Sequence, residues 1–306
     1  MSNSSSVEAD EVCPSCGKSA ADDVKLKICT ACKMVKYCSV ECQKNHWSKH
    51  KKACKERAAE IRDDNLFRQP DESYLGECPL CCIPLSLDIS KSSVYTCCSQ
   101  RICAGCVYAN TVREFDGGLE PKCAYCREPV PKTQEQSVQY TMKRVQANDP
   151  VALRHMGRKC DREGDYEGAF EYYTKAAKMG DVIAHFLLSC SYQQGEGVEK
   201  DMKKAVYHME EAAVRGHPNA RFNLGVYEAI NGKTGRAAKH FIIAAKLGYD
   251  DALEQVKVGL RRGDISKEDY EAALSGYNAA VDATKSSQRD EAEEFEEEAE
   301  EYESTM

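Results

Sequence analysis

Small and large apolar positions recur in a fixed order through the second half of the chain. Alanines occupy matching positions in three copies: 152, 169 and 176–177, then 184, 205 and 212–213, then 220, 237 and 244–245. A larger side chain, Met156, Leu188 or Leu224, follows the first alanine of each copy by four residues. Small residues seven apart let two helices approach closely, and larger side chains fill the gaps. The pattern predicts packed pairs of α-helices.

The alanine pairs begin at 176, 212 and 244, so the copies are spaced by 36 and then 32 residues. A two-helix period of this length is typical of an α-solenoid, and solenoids expose concave surfaces that bind other proteins. The fullest copy, AHFLLSCSYQQGEGVEKDMKKAVYHMEEAAVRGHP, resembles the Sel-one-like repeat, a relative of the tetratricopeptide repeat. We predict a solenoid over residues 150–285, capped by a partial fourth unit from Ala252. Cys160 and Cys190 are predicted to be packing residues within it.

The segments around the predicted domains are polar. Residues 55–77 and 132–149 are predicted to be helix-permissive linkers, and residues 1–12 to be disordered. Residues 286–306 contain ten acidic residues and one arginine, and like-charge repulsion favours a disordered acidic tail over a frayed helix.

Cysteine usage divides the chain. Of 18 cysteines in 306 residues, sixteen lie between residues 13 and 126, which indicates more than one domain. The N-terminal sequence MSNSSSVEADEV is unlike a signal peptide, and no apolar run reaches membrane-spanning length. We therefore expect an intracellular protein of the cytoplasm or nucleus, neither secreted nor in a membrane. In that reducing setting, clustered cysteines indicate metal ligands rather than disulfides.

Residues 13–54 contain CPSC, CTAC, CSVEC and HKKAC, which offer eight ligands, enough for two tetrahedral zinc sites. The two later pairs are spaced i, i+4, which places both side chains on one helix face. These motifs resemble the MYND-type zinc finger. In that family the pairs interleave, which implies two zinc ions with these ligands: Cys13, Cys16, Cys38 and Cys42 for the first, and Cys29, Cys32, His50 and Cys54 for the second.

The same resemblance implies a shallow groove that binds short proline-rich peptides. Its positions fall on Thr30, Gln43 and Trp47, and Trp47 is the only tryptophan of the chain. Trp47 is interpreted either as a wall of this groove or as a cap on the small core of the finger, and the two roles are compatible. His46 is spare, and we expect it to face solvent.

Residues 78–131 contain CPLC, an adjacent pair of cysteines, CAGC and CAYC, with Cys82 as a surplus cysteine. The order resembles a RING-like finger with two interleaved zinc sites, although Gln100 stands where RING domains usually have a histidine. The resemblance implies these ligands: Cys78, Cys81, Cys103 and Cys106 for a third zinc, and Cys98, Cys123 and Cys126 with one more ligand for a fourth. Cys97 is favoured as that ligand, because an incomplete site would leave thiols without a role. The alternative is that Cys97 packs as a small apolar residue.

Ligase RING domains contact a ubiquitin-conjugating enzyme through an aliphatic residue of the first knuckle and the helix after the third, and they hold ubiquitin with an arginine after the last cysteine. Leu80, Ile83 and Arg127 match these positions, and Val107 or Tyr108 matches the helix. Each has a plainer interpretation, since Leu80 and Ile83 suit a small core and Arg127 suits a surface.

The net charge of −8 excludes little, because the acidic tail alone carries −9. Residues 24–57 carry ten lysines and arginines against Glu41 and Glu56, but zinc-bound thiolates offset much of that excess. We therefore do not expect nucleic-acid binding.

Three hypotheses follow from these domains. The favoured one is a zinc-binding adaptor whose MYND-type finger and solenoid recruit different proteins. The alternative is a RING-type ubiquitin ligase, which would act by positioning a charged conjugating enzyme. A lysine methyltransferase, in which MYND fingers also occur, is disfavoured because the chain offers no room for that catalytic domain. No side chain is assigned a catalytic role, and four zinc ions are expected.

Overall fold

The computed structural model of the protein describes residues 12–19 and 24–304. The expectation of disorder at residues 1–12 therefore falls almost wholly outside the described residues, but Val12 itself forms an isolated antiparallel bridge with Ser19. The chain divides into two compact units, Met1–Arg68 and Gln69–Met306. Each unit is described by itself.

The first unit contains the first finger, residues 13–54. Strands β1 (Lys27–Ile28) and β2 (Lys36–Tyr37) pair antiparallel, and helix α1 follows at Val40–Leu66. The helix begins at Ser39, whose hydroxyl accepts a hydrogen bond from the Cys42 backbone N–H. It continues past Cys54 into the predicted linker, because no proline or glycine interrupts the sequence before Pro70.

The second finger, residues 78–131, begins the second unit. Its antiparallel strands are β3 (Ser92–Val94) and β4 (Arg101–Cys103), with Ser92 opposite Cys103. Helix α2, Ala104–Asp116, starts directly after β4. Isolated bridges join Glu77 to Pro84 and Lys122 to Pro129. Secondary structure is thus sparse, and the small core is built around cysteines and Ile102.

The solenoid consists of short helices packed in sequence order. Their bounds are α3 Gln134–Gln146, α4 Pro150–Arg162, α5 Tyr166–Lys178, α6 Val182–Gln194, α7 Met202–Val214, α8 Pro218–Ile230, α9 Thr234–Lys246, α10 Asp250–Arg262 and α11 Lys267–Asp282. Helix α3 lies in the segment predicted to be a linker and packs on α4. Helices α10 and α11 pack on α9 and add a fourth helix pair in the segment for which we predicted a partial capping unit.

The repeated alanines lie in the packed core between the helices of the solenoid. All of them are buried, and Ala252 and Ala273 take the same role in the capping pair. Glycine allows the closest approaches: a Cβ atom at Gly157 would lie 2.5 Å from the Tyr173 ring, and one at Gly225 would lie 2.6 Å from the Phe241 ring. The small-residue pattern therefore reflects helix-to-helix distance.

The second repeat has a longer connector than the others. Gly197 in that connector has a φ of +67°, and a Cβ atom there would lie 2.0 Å from the Tyr166 carbonyl oxygen. Only glycine fits both the backbone conformation and the space. The connector of the second repeat is therefore seated on the start of α5 in the first.

The second unit differs from the sequence prediction at its two ends. Within the predicted linker 55–77, Tyr74 is tied to the solenoid: its N–H donates to the Gly216 carbonyl over 3.2 Å, and its ring stacks on His217 at 4.3 Å. The prediction of disorder at 286–306 is wrong for Ser287–Ser304, which form helix α12. This helix packs on α2 of the second finger, and that contact compensates for like-charge repulsion within it.

Candidate metal centres and binding surfaces

The structure gathers the sixteen predicted ligands into four clusters, each with its four ligand atoms within 4.8 Å of one another. The clusters are Cys13, Cys16, Cys38 and Cys42; Cys29, Cys32, His50 and Cys54; Cys78, Cys81, Cys103 and Cys106; and Cys97, Cys98, Cys123 and Cys126. In both fingers the sets interleave along the sequence. Cys82, Cys160 and Cys190 lie outside the clusters.

The separations within the clusters fit tetrahedral zinc. Sulfur atoms lie 3.5 Å apart in Cys16 and Cys38, 3.7 Å apart in Cys81 and Cys103, and 3.8 Å apart in Cys98 and Cys123. A tetrahedron with zinc–sulfur bonds of about 2.3 Å has edges of about 3.8 Å. A disulfide would need sulfur atoms about 2.05 Å apart. The donor sets, four thiolates or three thiolates and an imidazole, are those of structural zinc sites.

Four of the five CxxC pairs sit on the same kind of turn, while the fifth, Cys103 and Cys106, lies at the start of α2. The residue after the second cysteine has a positive φ, at Gly17, Lys33, Cys82 and Arg127. In each case its N–H donates to the carbonyl of the first cysteine, over 2.8–3.0 Å. The turn brings the two sulfur atoms of a pair to one side. It also explains Cys82, which occupies the turn position that follows the ligand pair.

The same turn recurs at residues 95–100 and shows how adjacent cysteines share one cluster. Tyr95 takes the place of a first cysteine: the Ser99 N–H donates to the Tyr95 carbonyl over 2.8 Å, and Ser99 has a φ of +59°. Cys98 then occupies the second-cysteine position. Cys97, one residue earlier, reaches to 3.3 Å from the Cys126 sulfur. Gln100 contributes through its backbone: its carbonyl accepts from the Tyr95 N–H over 3.0 Å, and its N–H hydrogen-bonds to Cys98.

Backbone N–H groups lower the pKa of the first cysteine in three pairs, Cys13, Cys29 and Cys78, and so favour its thiolate form. Burial acts to raise the pKa of Cys13, but hydrogen bonds from the backbone of Cys38, Ser15 and Cys16 lower it to about 6. Burial opposes ionisation of Cys78 in the same way, and backbone donors at Cys103, Cys81 and Leu80 lower its pKa to about 7. These turns therefore present thiolate to an incoming metal ion.

The imidazole ligand is also prepared for a metal. His50 is buried, its Nε2 lies 3.2 Å from the Cys32 sulfur, and burial followed by the charge of His46 lowers its pKa. The neutral form is the one that binds metal. His46 is half-buried rather than wholly solvent-facing as expected, because its Nδ1 is 3.0 Å from the Tyr37 hydroxyl and its ring stacks on His50.

The predicted peptide-binding residues differ in their environments. Trp47 is 41% exposed on α1, and Thr30 is also exposed. Gln43 is half-buried, and its side-chain N–H donates to the Cys29 sulfur over 3.8 Å. Trp47 therefore offers a free aromatic surface, whereas Gln43 also supports the metal cluster.

The predicted ligase-contact residues are only partly free. Leu80 is 42% exposed, while Ile83 is half-buried and its carbonyl accepts from Arg289 of α12. Arg127 donates to Asn110 over 2.7 Å and to Glu114 over 3.1 Å. Glu114 is 4% exposed and also accepts from the Lys122 N–H, so it ties α2 to the last CxxC turn. No sequence motif marked this structural carboxylate.

Family models match both ends of this architecture. Residues 13–54 match the MYND finger, and residues 152–181, 182–217 and 218–249 match the Sel1 repeat. The chain contains a MYND finger and three Sel1 repeats. The MYND finger coincides with the first two metal clusters, and the Sel1 repeats coincide with helices α4–α9. Both kinds of domain indicate protein partners.

Curated relatives match shorter segments. Chitin synthase regulatory factor 4 of Schizosaccharomyces pombe is 34% identical over 86 residues, which are 28% of this chain and 14% of that protein. Cytochrome c oxidase assembly factor 7A of Xenopus laevis is 41% identical over 66 residues, 21% of this chain and 29% of that protein. The matches thus span less than a third of either relative.

Two solved structures are similar. The crystal structure of a Sel1 repeat protein from Oxalobacter formigenes is 27% identical, with a TM-score of 0.41, over 49% of this chain and 65% of that one. A protective antigen of uropathogenic Escherichia coli with an SLR fold is 22% identical, with a TM-score of 0.40, over 61% of this chain and 38% of that one.

Within residues 12–19 and 24–304, none of the helices is both long and apolar enough to cross a membrane.

Proposed function

We propose that the protein is an adaptor in which four zinc ions organise the two fingers, the MYND finger binds a proline-rich peptide, and the solenoid recruits a second protein. The exposed ring of Trp47 carries the peptide-binding part of this proposal. An aromatic ring left 41% exposed beside a metal cluster offers a flat apolar wall to proline side chains. Thr30 and Gln43 supply polar groups that fix the peptide's direction.

Trp47 also provides the test, because it is the only tryptophan and its fluorescence reports on the MYND finger alone. The zinc-loaded chain is titrated with a set of proline-rich peptides and with scrambled controls of equal composition. We expect a saturable change in fluorescence with at least one proline-rich peptide and none with its scrambled form. Trp47→Ala, followed by anisotropy of a labelled peptide, should weaken binding about tenfold or more.

Tyr125 provides a matched control, since it is 46% exposed on the second finger. Tyr125→Ala should leave peptide binding unchanged. Equal losses in Trp47→Ala and Tyr125→Ala, or no saturable response to any peptide, would contradict a peptide site on the MYND finger.

A RING-type ubiquitin ligase is the second candidate, and the exposed Leu80 on the first turn of the second finger is the observation that favours it. The test is self-ubiquitination by the full chain with a panel of conjugating enzymes. Leu80→Ala should abolish chain formation, whereas Cys82→Ser, on the same turn and outside the metal clusters, should not. Absence of chain formation with every conjugating enzyme would exclude this candidate and leave the adaptor proposal standing.

A further inference from the structure

One arginine of helix α12 donates hydrogen bonds to the backbone of the second finger. The Arg289 guanidinium donates to the Pro84 carbonyl over 2.7 Å and to the Ile83 carbonyl over 3.0 Å, and its Nη2 lies 3.6 Å from the Cys81 sulfur. The same group donates to the Thr284 carbonyl over 2.6 Å. Arg289 thus caps the turn that carries Cys81, and it is the only basic residue of α12.

Three more residues of α12 complete the contact. Ala292 is 2% exposed, Glu293 forms an ion pair with Lys91 at 2.7 Å, and the Phe295 ring lies 5.2 Å from the Tyr108 ring of α2. Arg289, Ala292 and Glu293 follow helical i, i+3, i+4 spacing, so they share one face. The contact therefore joins a basic anchor, a small residue and an aromatic residue in a fixed order.

The finger side is shaped for a closely approaching helix. A Cβ atom at Gly105 of α2 would lie 2.8 Å from the Gln288 carbonyl oxygen and 3.0 Å from Arg289 Cγ. The contact thus depends on glycine at this position, although alanine is intrinsically the better helix former. The receptor surface consists of Cys81–Pro84, Lys91, Gly105 and Tyr108.

The helix depends on this surface for its order. Residues 287–304 contain ten acidic residues and one arginine, a net charge of −9, with like charges at i, i+4 such as Glu293 and Glu297. Such pairs destabilise an isolated helix, and 18 residues are marginal in water even for good sequences. An element held by a few contacts against its own repulsion opens more readily than a core helix.

We propose that this face of the second finger is a docking surface for an acidic helix, and that α12 is its removable occupant within the chain. A partner helix takes the surface when it presents an arginine, a small residue three positions later and an aromatic residue three positions after that, in an acidic context. The proposal rests on the adaptor function, since a partner protein supplies the competing helix. In this proposal, α12 blocks one of the adaptor's binding surfaces until a partner helix displaces it.

A peptide of residues 286–304, fluorescently labelled, tests the proposal on the full zinc-loaded chain. An internal occupant lowers the apparent affinity for a competing helix by the fraction of chains that are open. We therefore expect Arg289→Ala and Phe295→Ala chains to bind the peptide about tenfold more tightly than the wild type. Adding Gly105→Ala to either variant should abolish binding, because the new methyl group occupies the place of the helix backbone.

Hydrogen exchange gives an independent readout. Amides of residues 289–298 should exchange faster in Gly105→Ala than in wild type, and Gly235→Ala, where a Cβ atom meets nothing within 4 Å, should leave them unchanged. If Arg289→Ala loses zinc, Phe295→Ala still tests the proposal, because the Phe295 ring contacts Tyr108 and not a cysteine of a metal cluster. Equal peptide binding by wild type and both open variants, or unchanged exchange in Gly105→Ala, would overturn the proposal. Neither result bears on the Trp47 titration, so the two proposals fail separately.

Discussion

The fingers and the solenoid both have cores of small side chains, but different interactions hold those cores together. The core of the first finger is four cysteines and Tyr37, with strands of two residues. The solenoid buries alanines against leucine, valine and aromatic side chains over helices of 13–16 residues. Thiolates repel one another unless a cation joins them, whereas alanines pack without help. We therefore expect the fingers to fold only with metal and the solenoid to fold without it.

Removal of zinc should separate the two regions most strongly. Structural zinc contributes about 10–16 kcal/mol of folding free energy in small fingers. We expect a strong chelator to unfold residues 13–54 and 78–131 while α4–α11 stay helical. Segment-resolved hydrogen exchange, with zinc release measured in parallel, checks this. Fingers that keep their protection after releasing zinc would show that the cysteine cores are self-sufficient.

Replacement of one ligand should produce the next largest effect. Cys97→Ser should lower the zinc content from four ions to three per chain, because Cys97 lies in the cluster with Cys126. Cys82→Ser is the matched control and should keep four, since Cys82 lies outside every cluster. Metal analysis of both purified variants gives the result. Four zinc ions in Cys97→Ser would mean that another group completes that site.

Overpacking should affect the solenoid alone. In Gly225→Ala the new methyl group would meet the Phe241 ring at 2.6 Å, and we expect a loss of about 1–3 kcal/mol in the free energy of unfolding of α4–α11. Gly235→Ala has open space and should raise stability by about 0.4–1 kcal/mol. Denaturant melts of the helical signal and the zinc content measure both regions. A loss of zinc in Gly225→Ala would contradict the independence of the regions.

Acid should weaken the solenoid through His217. Burial, then the charges of Arg158 and Arg154, lower its pKa to about 3, and its Nδ1 accepts the Ala220 N–H over 3.3 Å at the start of α8. The unfolded chain binds this proton near pH 6.5, whereas the folded chain resists it until about pH 3. Stability is therefore fully present above pH 6.5 and falls as pH decreases, by about 1–2 kcal/mol at pH 5.

His217→Asn tests this assignment, because asparagine can accept the same hydrogen bond without titrating. Denaturant melts of α4–α11 at pH 7 and pH 5 should show a smaller difference in the variant than in the wild type. An unchanged difference would assign the pH dependence to other groups.

The features that the sequence predicted correctly are those in which the local spacing of residues determines the geometry. The spacing of a CxxC pair allows both sulfur atoms to reach one metal ion, and the spacing of alanines such as Ala176 and Ala177 predicts the buried face of a helix. The metal clusters and the repeats therefore follow from local spacing. The continuation of α1 to Leu66 was also accessible, since no breaker residue precedes Pro70. The arrangement of Cys97 and Cys98 depended on the turn at Tyr95, a residue that no ligand motif identifies.

The structural features that the sequence did not predict depend on contacts between residues far apart in the chain. Helix α12 looks disordered by its charge, and Arg289, the basic residue that holds it, bonds to carbonyls about 205 positions away. Glu114 is an acidic residue in an amphipathic helix, and its burial appears only when Arg127 and Lys122 surround it. Such groups become visible once the fold brings their partners together.

The connector of the second repeat has a mechanical consequence. Because Gly197 is seated on the carbonyl of Tyr166, the first two repeats touch through backbone as well as through side chains. A pulling force along the chain would therefore be shared between these repeats before either yields. We expect them to rupture as one unit in a single-molecule stretching trace, with the third repeat giving a separate event.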